Sequence, residues 1–257
     1  MQRAAHRFFR ASAFLTRFPA RTSAFEGGPH PLGRDALAFP FVGLAVALPP
    51  ALVLLGLAAL GLQPFACALI ALLLLIGLTG ALHEDGLADT ADGLFGHATR
   101  ERALEIMKDS RIGTYGALAL IGAFCLRAAL LADLTAHAPA LGALAMLVVA
   151  GASRGAMAWL WSSLPSARLG GLSNRMEAPF PHEGRQVALA ALGLAVAGGA
   201  AIGGWTGALA PTALALCGLW LFRRFIAQRL GGTTGDTLGA AQQIVECLLL
   251  LGLALAA

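Results

Sequence analysis

Charge is what this 257-residue chain has least of: only 12% of its residues are Asp, Glu, Lys or Arg. An ordinary soluble domain carries about 25%. A folded surface in water could not be covered from so small a supply, which excludes a soluble globular domain. Cysteine is sparse as well. Cys67, Cys125, Cys217 and Cys247 stand in four separate apolar runs with no CxxC pair. That excludes a zinc ribbon or a dithiol redox centre, and the four are expected to be buried, unpaired small residues. A single Lys accompanies the arginines, and no basic run is interleaved with aromatics. No nucleic-acid partner is expected. The first residues mix Arg with Phe and lack the apolar core of a cleavable signal peptide.

Apolar residues are abundant: 58% of the chain, with a mean hydropathy of +0.74. They fall in runs of about 20, the length of helix that crosses the hydrocarbon of a bilayer. Seven spans are predicted, over 41–60, 65–82, 115–134, 140–161, 187–205, 208–222 and 240–257. Pro49 and Pro50 should kink the first, since each removes a backbone donor. The expected architecture is an all-α polytopic bundle forming one membrane domain over 1–257. Its Gly and Ala suit close helix packing where lipid supplies no hydrophobic drive.

The basic residues alternate from loop to loop. Arg3, Arg7, Arg10, Arg17, Arg21 and Arg34 precede the first span; Arg100, Arg102, Lys108 and Arg111 follow the second. Arg168, Arg175 and Arg185 follow the fourth, and Arg223, Arg224 and Arg229 the sixth. The intervening loops and the C-terminus have none. The positive-inside rule then places the N-terminus in the cytoplasm. Arg127 and Arg154 lie within spans and are expected to pair with carboxylates or carbonyls inside the bundle. Before the spans, Arg3, Arg7, Arg10 and Arg17 share one helical face, and Phe8, Phe9, Phe14 and Phe18 add apolar area. The segment 1–34 is expected to include a helix lying on the cytoplasmic interface.

Half of the 14 acidic residues lie between Glu84 and Asp109. Asp85, Asp89 and Asp92 are spaced i, i+4, i+7, which puts them on one face of a helix. Such carboxylates repel one another, and a hard divalent cation relieves the conflict; oxygen donors of this kind suit Mg²⁺. Lys108, Asp109, Ser110 and Arg111 follow directly, offering cations for a phosphate and one more carboxylate. Thr99 is a plausible N-cap for a short helix up to Lys108, with Arg102 available for capping or substrate. A second stretch, Gly231-Gly232-Thr233-Thr234-Gly235-Asp236, is a glycine-rich loop ahead of the last span, of the kind whose backbone N–H groups can cradle phosphate oxygens. Asp236, Gln243 and Glu246 continue along one helix face, and Glu246 is a candidate intramembrane carboxylate. Arg168, Gly170, Gly171 and Arg175 could touch an anion or serve topology alone.

The run from His83 to Phe95 resembles the H-x-D-G-L-A-D-x-x-D-G motif of the cobalamin synthase family, the adenosylcobinamide-GDP ribazoletransferases. Arg102 to Gly113, Phe14 to Pro19, Phe39 to Gly43, and Gly235-Asp236 resemble the same family, in order along the whole chain. Glu84 occupies a position that the motif leaves open. The resemblance implies an Mg²⁺-dependent enzyme of the prokaryotic cytoplasmic membrane. It would join adenosylcobinamide-GDP to α-ribazole or its 5′-phosphate with release of GMP. Asp85, Asp89 and Asp92 are then expected to hold metal. Asp109, Asp236 and Arg111 are expected to be catalytic, and Lys108, Arg111, Arg102, His83, Gly235 and Arg168 to bind substrate. An oligomer is left open. Two alternatives share the Asp-rich pattern. One is another intramembrane transferase of the CDP-alcohol or prenyl type, although Gly96-His97 stands where the former has Ala-Arg. The other is a cation-coupled transporter.

Overall fold

A computed structural model describes residues 2–28, 30–96, 99–168, 170 and 176–257. Gly171 and Arg175, named above, lie outside the described residues. The described chain is helical: α1 (Gln2–Leu15), 3-10 turns at Thr22–Phe25 and Leu32–Ala38, α2 (Phe39–Ala59), α3 (Pro64–Thr79) and α4 (Leu82–Phe95). Then come α5 (Arg100–Ile106), α6 (Thr114–His137), α7 (Pro139–Ser163), α8 (Pro181–Leu230) and α9 (Gly235–Ala254). Proline stands in the first turn of α2, α3, α7 and α8, where its missing N–H costs nothing. α2 remains one helix through Pro49 and Pro50.

Five of these helices are long and apolar enough to cross a membrane, or six if the bent pair α3 and α4 counts as one span. The chain is therefore an all-α, multi-spanning membrane bundle. Leu52, Leu118, Ile121, Leu189 and Leu209 stand exposed on its flanks, a surface suited to hydrocarbon. Cys125 and Cys217 are exposed there too, contrary to the expectation of burial; only Cys67 is fully buried. They can be tolerated because a thiol behaves as a small apolar group in contact with lipid.

α8 is 50 residues long but not straight. Gly203 and Gly204 leave helical geometry, Gly204 with φ +60°. A Cβ on Gly199 would lie 2.0 Å from the Gly207 carbonyl oxygen, and one on Gly207 2.3 Å from that of Gly199. Residues eight apart in a straight helix are about 12 Å apart along its axis, so the chain doubles back here. The two arms match the predicted spans 187–205 and 208–222. Gly199→Leu should wedge them open and destabilise the protein by about 1–3 kcal/mol. Thermal unfolding in detergent checks this, against Gly193→Leu, whose site is open and should change nothing.

Between α3 and α4 the axis turns by 88°. Gly80 and Ala81 both adopt left-handed backbone angles, φ 64° and 58°. For Ala81 that is a strained conformation, held from outside: the Arg17 N–H donates to the Leu78 carbonyl at 2.7 Å, and the Arg17 side chain crowds Gly80. α1 itself is anchored by Arg10, whose Nε and Nη2 bond both oxygens of the fully buried Asp35 at 2.8 and 2.7 Å. Arg10 is thus committed to the protein, while Arg3 stays exposed.

Several arginines of the positive loops have local work besides topology. Arg223 Nη2 donates to the Ser163 carbonyl at the end of α7, and Arg229 Nη2 to that of Leu94 at the end of α4. Arg100 Nε donates to Leu230 at the end of α8, and Arg168 Nη2 to Leu104 in α5. Each satisfies a carbonyl that the last turn of a helix leaves orphaned, where the helix dipole also favours a cation.

Candidate active site

α4 crosses α9 at glycines. A Cβ on Gly86 would lie 2.7 Å from the Asp236 carbonyl oxygen, and one on Gly239 3.2 Å from that of His83. This close approach sets His83, Asp85, Gly235 and Asp236 around one cavity of about 230 Å³, joined by Arg168 from the stretch after α7. Five residues singled out in the sequence, spread from position 83 to 236, therefore meet. Phe14, Phe39, Met157, Trp161 and Met176 add apolar lining. Sequence reading missed all of these side chains as site residues, because nothing in an isolated Phe, Met or Trp distinguishes cavity lining from core.

Thr234 caps α9, accepting from the Thr237 N–H at 3.1 Å. The glycines ahead of it serve packing. Gly231 (φ +71°) ends α8, and the Thr233 N–H and carbonyl are spent on Pro165 and Ala167, both at 2.8 Å. The phosphate cradle expected of this loop is thus reduced to its final residues, Thr234 to Asp236, which line the cavity.

The Asp face of α4 divides. Asp85 lines the cavity. Asp92 turns to the start of α6, where its oxygens accept from the Gly113 and Gly116 N–H groups at 2.7 and 2.8 Å. A Cβ on either glycine would strike that carboxylate. A carboxylate is favoured there by the free N–H groups and the dipole of the helix. Asp89 lies between them. Burial, then the charges of Asp85, Asp236 and Asp92, push its carboxyl up to about 7.

Asp109 and Arg111 are not brought to the cavity. They pair with each other on the surface at 2.6 Å, and the Arg111 side chain and backbone N–H hold the Asp109 carboxyl down at about 2. Arg102 pairs with Glu105 at 2.7 Å, also on the surface, and Lys108 is exposed. Thr99 caps α5 as expected, accepting from the Arg102 N–H.

Beneath the cavity lies a buried polar network. Arg127, in α6, donates to Glu84 at 3.1 Å and to Glu246 at 3.4 Å. Gln243 donates to Glu84 at 3.1 Å and to the Gln242 side-chain oxygen at 2.9 Å. Gln242 donates to Glu246 and to Ser153, and Arg154 donates to the Ala150 carbonyl at 3.0 Å. The expected pairing of both intramembrane arginines is met. Glu84, to which no role was given, is what ties α4 to it.

The profile of the cobalamin-5-phosphate synthase family matches residues 7–254. The chain belongs to that family. Adenosylcobinamide-GDP ribazoletransferases of Rhizobium johnstonii and Rhizobium meliloti are 47% and 45% identical to it, and that of Brucella anthropi 44%. Each alignment covers 96% of this chain and 95% of the relative. No solved structure matches it. Carboxylate oxygens are the type of donor that suits the Mg²⁺ which the family resemblance implies. Asp85, Asp89 and Asp236 offer carboxylate oxygens from α4 and α9, and burial first, then the charges of Asp85, Asp236 and Asp92, raise the Asp89 carboxyl. Among the described residues no three His, Cys, Asp or Glu side chains stand close enough to share one ion, since Asp92 is engaged with α6.

Proposed function

We propose that the cavity between α4 and α9 is where the two substrates of this enzyme react. The enzyme transfers the adenosylcobinamide phosphoryl group of adenosylcobinamide-GDP to α-ribazole or its 5′-phosphate, forming adenosylcobalamin or its 5′-phosphate. A ribose hydroxyl oxygen bonds to the phosphorus attached to cobinamide; the bond from that phosphorus to the GMP oxygen breaks, and GMP leaves. Asp236 takes the hydroxyl proton, for it lines the cavity beside the acceptor. Asp85 and Asp89 are the residues that would hold Mg²⁺, with Asp236 adjoining. When bound, the ion supplies charge that neutralises the diphosphate and the departing GMP. Arg168, whose Nε is buried without a hydrogen-bond partner among the described residues, lines the same cavity and suits a phosphate oxygen.

The observation that carries this reading is the convergence of His83, Asp85, Arg168, Gly235 and Asp236 on one cavity with further apolar lining. The topology that goes with it has seven crossings. α8 contributes two, one for each arm of its hairpin, and α3 another, with α4 turned out at the cytoplasmic face. The N-terminus and all the positive loops are then cytoplasmic, and α1 lies along that face as part of one membrane domain.

GMP release from adenosylcobinamide-GDP and α-ribazole by the purified protein, with and without Mg²⁺, tests the reading. Release that needs both substrates and the ion supports it, and release indifferent to α-ribazole overturns it. Gly86→Val should separate α4 from α9 and cut kcat by about 10²-fold, as misplacing reacting groups by an ångström does. Unchanged turnover in a folded Gly86→Val protein would contradict the crossing as the site.

A further inference from the structure

We infer that the apolar lining of this cavity seats the flat base of the acceptor nucleoside, and that the cavity's capacity decides which base is accepted. The inference rests on the reading above and goes beyond it, since that reading leaves open which substrate enters the protein and which stays at its rim. Volume decides first. About 230 Å³ holds a bicyclic base with part of its ribose. A corrinoid carrying guanosine diphosphate is several times too large and must approach from the mouth.

Chemistry decides next. The lining combines Asp85, Asp236 and Arg168 with Phe14, Phe39, Met157, Trp161 and Met176. A nucleoside with an apolar base has the same two characters, a flat apolar ring and polar hydroxyls. The corrinoid's rim of amides does not. Phe39 and Trp161 are buried and stack with centroids 6.5 Å apart and planes 26° from parallel. Aromatic faces and thioethers together favour a flat π-system over an aliphatic ligand. His83 lines the same cavity, is 2% exposed, and its Nε2 has no hydrogen-bond partner among the described residues. A buried ring nitrogen left so is costly unless a ligand meets it. A base nitrogen or a ribose hydroxyl is the group that would. The base is thus placed against the aromatic and thioether side chains, and the reactive hydroxyl at the carboxylates.

The test separates the two substrates. Met157→Phe takes up space along the apolar lining and should raise KM for α-ribazole by about ten-fold or more, leaving KM for adenosylcobinamide-GDP within about two-fold. A rise in both together, or in the donor's alone, overturns the assignment. Binding gives a readout apart from turnover. α-Ribazole alone should quench the fluorescence of wild-type protein in detergent. Trp161→Phe should abolish most of that quench, and Trp205→Phe, at an 85% exposed position on the outer surface, should leave it. A quench that survives Trp161→Phe, or no quench in the wild type, sinks the inference. Should the wild type release no GMP, the functional reading fails instead, and the fluorescence titration still judges the seat of the base.

Discussion

Arg127→Leu should destabilise the protein by about 3–5 kcal/mol, the usual cost of stripping one partner from a buried ion pair. Arg127 is 1% exposed and sits between Glu84 and Glu246. Without it the buried Glu246 and the partly buried Glu84 are left without their cation inside a membrane bundle. Arg154 is near, but its Nη1 is turned to the Ala150 carbonyl. Arg127→Lys should fall between wild type and Leu: the charge stays, yet one ammonium cannot span both carboxylates as the guanidinium fork does. Glu246→Gln should be milder than Arg127→Leu, because Glu84 still pairs with the arginine. Thermal unfolding in detergent and yield in the membrane measure all three. A Leu variant as stable as wild type would show that the pairs contribute nothing.

The same network reaches the chemistry. Glu84 precedes Asp85 in α4, so the ion pair that holds Glu84 from below fixes the helix whose next residue opens into the cavity. Gln243 grips Glu84 from α9, seven residues after Asp236 in that helix. The crossing of α4 over α9 is therefore pinned twice, by backbone contact at Gly86 and by hydrogen bonds one side chain below it. An enzyme that must hold carboxylates from two helices in one place needs such a fixed crossing.

How much of this could be read in advance varies with the range of the interaction. Long apolar helices are local, and hydropathy located them; the turn at Gly203–Gly204 falls just inside the end of the span predicted over 187–205. Part of the cavity's polar lining was legible too, since His83, Asp85, Arg168, Gly235 and Asp236 were all named. Its division of labour was not. A shared helix face is not a shared point: Asp85 and Asp92 are about 10 Å apart along the axis. The helix crosses two neighbours over that length, so one carboxylate meets the cavity and the other the start of α6. Asp109 was read as a catalytic carboxylate and Arg111 as a phosphate ligand because sequence cannot tell that two residues of opposite charge, two apart, will satisfy each other. Glu84 was passed over because its partners, Arg127 and Gln243, are 43 and 159 positions away.

Asp236→Asn should lower kcat by about 10³-fold, within the range of a lost general base, and leave folding intact. Asn keeps the size of the side chain and can still accept from Thr234, which lies 3.3 Å from one carboxylate oxygen. It cannot take a proton. KM for α-ribazole should change far less than kcat, since what is lost acts in the transition state. Asp89→Ala should likewise fold and lose Mg²⁺-dependent turnover. Asp109→Asn is the contrast. Its carboxyl is paired on the surface and held near pKa 2, far from the value that suits proton transfer at neutral pH. It should retain activity to within about ten-fold. Measured side by side as GMP release, the Asn variants decide between the two carboxylates. A dead Asp109→Asn beside an active Asp236→Asn would move the chemistry from the cavity to the surface loop ahead of α6.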